Sequence, residues 1–149
     1  MGLLAAIGVP GAARGQSVVV GETALGAVGV LARADFWGAE AGLARRVGQS
    51  RIALAAAGGE QGGAAAMRVE LRAQFLLLPP ARTAVGYYAG LGLAVAEAVR
   101  HHGGAYLTAV VGVETAVWHA RGVYAELGLG GGVRMAAGVR WRRVPAWWP

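Results

Sequence analysis

The chain has 149 residues, 56% hydrophobic and 15% charged, with 26 glycines, a composition that excludes disorder and fits one domain rather than two. Its net charge of +6 comes entirely from arginines, but these are scattered and interleaved with glutamates, with a late pair at Arg142 and Arg143, and do not form the basic patch that nucleic acid requires. Cysteine is absent, which excludes disulfides and Cys-ligated zinc.

The first residues, MGLLAAIGVPGAARGQ, join a short apolar run from Leu3 to Val9 to a helix-breaking Pro10 and small residues around Arg14. A run followed by small residues suits a secretory signal with cleavage before Gln16, so residues 1–15 are expected to be a weak or truncated signal peptide lacking its basic start. No later stretch offers the ~18 uninterrupted apolar residues of a membrane helix; the best candidates break at Glu22, Glu97 or Glu114. Turn chemistry recurs instead at short intervals: ARADFWG (32–38), RVGQSR (46–51), GGEQGG (58–63), LPPART (78–83), RHHGG (100–104), WHARG (118–122) and GLGGG (128–132). Seven breaks divide the chain into eight segments, the layout of an antiparallel all-β meander.

Within the segments the period is two, the period of a strand. In the first, Val28 and Val30 share parity with Glu22, so its faces are the least distinct. The third, with Ile52 and Leu54, has its apolar residues at even positions; nearly every other segment has them at odd ones, starting with Trp37, Ala39 and Leu43 in the second. Directly paired residues share a face, so an even-length connection inverts parity and an odd one preserves it. Even connections are therefore expected on both sides of the third strand and odd ones in the later hairpins. In the fourth segment Met67, Val69, Leu71, Ala73 and Phe75 alternate with Arg68, Glu70, Arg72 and Gln74. The fifth sets Val85, Tyr87, Leu91, Leu93 and Val95 against Gly86, Gly90, Gly92, Ala94 and Ala96. The last three repeat the scheme, with Glu114, Glu126, Arg134 and Arg140 on the smaller, more polar face.

A soluble barrel points its apolar face inward and needs a polar outer face. Here the second face is too small and too poor in charge to meet bulk water, whereas the bulky face is wide enough to coat a barrel. Bulky residues outward with small or charged residues inward is the pattern of a transmembrane β-barrel, whose closure pairs every backbone group that lipid cannot satisfy. GYYAGLGLAVAEAV, GVYAELGLGGGVRMAAGVRW and the regular turns make the sequence resemble the small eight-stranded outer-membrane β-barrels of bacteria, over roughly Gln16 to Arg143. The resemblance implies a closed antiparallel barrel over 16–143 in the bacterial outer membrane, a monomer partnered by outer-membrane lipid and assembly machinery. Family members usually end on an aromatic that this machinery reads. Trp141 fits that role, although a Trp-rich tail (144–149) carrying Trp147 and Trp148 follows it.

Chemistry for catalysis is sparse. Serine occurs only at 17 and 50, and aspartate only at 35; Ser50 and Asp35 bound one strand at opposite ends, too far apart for a hydrolytic triad. His101 and His102 lie one strand away from His119, so the three cannot share a metal. The reading is therefore a non-enzymatic barrel without cofactor. Glu40, Arg68, Glu70, Arg72, Glu114, Glu126, Arg134 and Arg140 are expected to form a lumen charge network, with Glu114 and Glu126 meeting Arg134 or Arg140. The interior of eight strands is filled by side chains alone, so this network is read as a plug. Trp37, Tyr87, Tyr106, Trp118, Tyr124 and Trp141 are expected in the interface girdles. The alternatives are a soluble lipocalin-like barrel with an apolar ligand, a polytopic helical membrane protein and a narrow passive pore.

Overall fold

A computed structural model describes residues 19–77, 85–99 and 101–143. The expected signal segment 1–15 and the tail 144–149 lie outside them. The alternating segments form eight strands: β1 (Val19–Leu31), β2 (Phe36–Val47), β3 (Ser50–Gln61), β4 (Ala64–Leu77), β5 (Gly86–Ala98), β6 (His101–Glu114), β7 (Arg121–Leu129) and β8 (Val133–Arg143). Each pairs antiparallel with its sequence neighbours, and β8 pairs back onto β1, so the sheet closes with no free edge. Five of the breaks read from the sequence overlap connections, but the described residues of RHHGG, 101–104, belong to β6; 78–83 and Arg100 lie outside the described residues.

Strand tilt follows from the register. A row of direct pairs starting at Gly21 runs through Arg45, Ile52, Ala73, Leu91, Ala109, Leu129 and Val133, and returns to β1 at Leu31, ten residues beyond its start. A stagger of this size tilts the strands by roughly 40° to the barrel axis.

The parity inversion at β3 is built by two tight turns. Val47 pairs with Ser50 and Gln61 with Ala64, leaving two residues in each connection, and Ile52 and Leu54 stand outside at 56% and 48% exposure. Gly48, Gly62 and Gly63 hold the positive φ values these turns need. The β7–β8 connection has three residues, since Leu129 pairs with Val133. The β5–β6 hairpin departs from the odd-length expectation: Ala98 pairs with His101 across two residues, and a bulge between Ala96 and Ala98 shifts the register so that Ala96 pairs with Gly104. The bulge supplies the missing residue and keeps the bulky face outside. Glu60, read from the sequence as part of a turn, is an exposed strand residue near the end of β3.

The faces divide sharply. Leu25, Leu43, Leu71, Leu91, Leu107, Val111, Leu127 and Leu129 are all more than half exposed on the outer surface. Inside, Val28, Val30, Phe36, Ala57, Tyr124 and Ala136 form an apolar cluster, so the two valines that blurred the first strand's pattern share the lumen with Glu22.

Candidate functional site

Beyond that cluster the lumen is ionic. Seven arginines (46, 51, 68, 72, 134, 140 and 142) and five glutamates (22, 40, 70, 114 and 126) are buried in it, each brought inward by strand parity. Desolvating twelve ions is costly unless each finds partners, and the side chains are arranged accordingly. Arg134, fully buried, donates from Nη2 to Glu40 (2.6 Å), from Nη1 to Glu126 (2.7 Å) and from Nε to Glu70 (3.1 Å). Arg72 donates to Glu126 at 2.6 Å, and the Tyr88 hydroxyl donates to its other oxygen at 2.9 Å. Arg68 donates to Glu70 at 2.5 Å and to the Gly130 carbonyl at 2.8 Å.

A second group occupies the end where β1 begins and β8 finishes. Arg51 donates from Nη2 to both oxygens of Glu114 (2.8 and 3.0 Å) and from Nη1 to Gln74 (3.3 Å); its Nε lies 2.7 Å from Glu22 Oε2, close in distance but out of line for a hydrogen bond. Arg140 donates to Glu114 and stacks on Tyr124, 4.8 Å from the ring centroid, and on Tyr88, at 5.5 Å. At 3.9 Å its Nη2 also approaches Glu126, linking the two groups. Arg142 and Arg46 reach Glu22 at 3.7 Å each and donate to the carbonyls of Ala116 (3.0 Å) and Val117 (3.4 Å). These bonds hold the β6–β7 connection across this end, with Val117 fully buried and Ala116 at φ 50°.

The small residues of the inner face make room for this network. A Cβ on Gly112 would collide with the Tyr88 ring, and one on Gly92 would lie 2.9 Å from the Arg72 Cγ. Two cavities between these side chains are each of about 20 Å³, room for roughly one water apiece. Neither holds an apolar ligand of the kind a lipocalin encloses.

Comparison with known proteins bears on the fold. No protein-family model matches the sequence, and no curated protein matches it. Among solved structures, the N-terminal β-barrel domain of Pseudomonas aeruginosa OprF superposes with a TM-score of 0.63 at 16% identity, over 85% of this chain and 98% of that domain. Neisserial surface protein A (NspA) superposes at 0.59 with 15% identity, over 83% of this chain and 96% of that one. The chain has the fold of the small eight-stranded outer-membrane β-barrels.

In this outer-membrane-type barrel the eight charges anticipated from the sequence all sit in the lumen, where Glu114 meets Arg140 and Glu126 meets Arg134. Glu22, Arg46, Arg51, Gln74 and Arg142 belong to the same network and were not anticipated. Their signal was parity: Glu22, Arg46 and Arg142 are even-numbered on strands with odd outer faces, and Arg51 precedes the outward Ile52 on the inverted strand. The aromatics divide. Trp37, Tyr87 and Trp141 are on the outer surface. Tyr124 is not a girdle residue: it is 5% exposed and lies in the lumen against Arg140, as its even number on β7 dictates. Tyr106 and Trp118 lie toward the barrel's two ends, stacked on Arg68 (6.0 Å) and Arg46 (5.4 Å). Ser50 and Asp35 are at opposite ends of the barrel, and the Asp35 carboxylate accepts the Ala32 amide.

Proposed function

We propose that the chain is a non-enzymatic protein of the bacterial outer membrane, structural or surface-interacting in role, whose lumen is plugged by its own charges. One observation carries this reading: a closed, bulky apolar outer surface encloses a lumen of seven arginines and five glutamates that form ion pairs across it. Lipid is the solvent that fits the outer face, and a filled ionic interior leaves no path for bulk solute. The first strand begins and the last strand finishes at the same end of the barrel, because the strand number is even, and this reading sets that end on the periplasmic side. The working form is a monomer whose partners are outer-membrane lipid and the assembly machinery.

Planar-bilayer recording of the purified, folded chain tests the plug. No steady conductance is expected. A stable open level would replace the plug with a narrow passive pore, and the two-charge excess of arginine over glutamate in the lumen makes anions the preferred ion of such a pore.

A further inference from the structure

Outside the lumen, strand charges are segregated by end. Where β1 begins and β8 finishes, the outward charges are Arg45, Arg121 and Arg143; toward the other end stand the acids Glu60 and Glu97. Gly21 pairs with Arg143 on one side and with Arg45 on the other, so the two arginines flank it about 9–10 Å apart, two strand spacings. A Cβ on Gly21 would meet nothing within 4 Å, so the gap between the two is open. Arg121 pairs with Trp141, the preceding outward residue to Arg143 on β8, and its guanidinium lies 5.9 Å from the ring centroid. Every ion pair among the described residues is made by lumen side chains, and none uses these three arginines.

A guanidinium presents a planar fork that matches phosphate oxygens two at a time, and unpaired arginines beside a Trp at the edge of an apolar belt belong at headgroup depth. On the membrane reading proposed above, we infer that Arg45 and Arg143 clamp the phosphodiester of an anionic phospholipid over Gly21, with Arg121, steadied by Trp141, as a third cationic contact. With no acid beside the clamp, nothing there compensates the ammonium of a zwitterionic headgroup. The surface therefore selects net negative charge.

Native mass spectrometry of the folded full chain, titrated with phosphatidylglycerol or phosphatidylcholine, tests the clamp. The expected result is preferential binding of phosphatidylglycerol, weakened about 30-fold in R45Q/R143Q, since each surface arginine contributes ~1 kcal/mol, with phosphatidylcholine unaffected and E60Q/E97Q unchanged. If the double variant does not fold, R121Q is read in its place, with a loss of about fivefold. Equal binding of the two lipids by the wild type, or no loss in these arginine variants, overturns the clamp. Displacement of phosphatidylglycerol by millimolar inorganic phosphate also overturns it and assigns the site to free phosphate. A chain that inserts into phosphatidylcholine vesicles but shows no lipid preference loses the clamp and keeps the barrel; one that inserts into neither lipid loses both.

Discussion

Replacing Glu126 with alanine removes the acid on which the lumen network converges. Its carboxylate accepts from Arg72 at 2.6 Å, Arg134 at 2.7 Å and the Tyr88 hydroxyl at 2.9 Å. Arg134 keeps Glu40 and Glu70, but Arg72 is left with contacts of 3.6 and 3.8 Å and Tyr88 loses its acceptor. Orphaning a buried ion by removing its partner costs about 3–5 kcal/mol. The unsatisfied phenol pushes the total up and the residual contacts of Arg72 pull it down, so about 4 kcal/mol is expected. With an m-value of roughly 2 kcal/mol per molar urea, the unfolding midpoint of the chain folded in lipid vesicles should fall by about 2 M. Glu60→Ala, at an exposed outward position, should shift stability by no more than about 0.5 kcal/mol. Midpoints that fall equally in the two variants would refute the view that the lumen pairs hold the barrel together.

Leu91→Arg places a charge on a residue that is 69% exposed in the middle of β5 and should cost about 2–4 kcal/mol in a bilayer, whereas Ala94→Ser, on the inner face, should fold with near-normal yield; vesicle refolding yields compare them. Gly112→Val drives side-chain atoms into the Tyr88 ring and should destabilise by about 1–3 kcal/mol, the range of an overpacked core, read as a lower thermal midpoint. Within the positively biased second group, Glu114→Gln should cost far more than Arg46→Gln. Glu114 neutralises Arg51, Arg140 and Arg142, while Arg46 makes one 3.7 Å ion pair and two long bonds to Val117; urea midpoints measured side by side would show equal losses if the charge excess were immaterial.

The eight strands, their closure and the inversion at β3 were legible because a bulky apolar outer surface and a narrow lumen inside impose opposite demands on alternate residues. In Met67 to Phe75 those demands coincide with polarity, and the faces are plain. They were obscure in β1, where Val28 and Val30 share the inner face with Glu22: a lumen accepts an apolar cluster as readily as an ion pair, so polarity cannot assign such a strand and register must. Tyr124 shows the converse. Read as an aromatic near a strand end, it suits a headgroup girdle; read by parity, it belongs inside, where Arg140 stacks on it. The β5–β6 bulge left no mark in the pattern, because it lies between small residues, Ala96 and Ala98, whose sizes do not reveal which way they point. The pairing partners of each lumen ion were the least legible of all, since they depend on the ten-residue stagger, and that emerges only when all eight registers are known together.

The two-residue turns that invert β3 also govern which changes of length the gene can tolerate. Deleting one codon at Gly48–Gln49 or Gly62–Gly63 leaves one residue where the hairpin needs two, so the pairing slips by one and the adjoining strand rotates, bringing Arg51 to the outer surface and Ile52 into the ionic lumen, whereas one inserted residue makes a three-residue turn like that between β7 and β8 and leaves the pairing in place. Deletions must therefore arrive two residues at a time, or together with a compensating bulge like the one beside Ala98. The connection between β6 and β7, residues 115–120, is long enough to take up a single insertion without altering any pairing, provided Val117 stays buried on its arginine partner. Homologous chains should therefore resist the loss of a single residue at the tight turns and vary in length more readily in the longer connection.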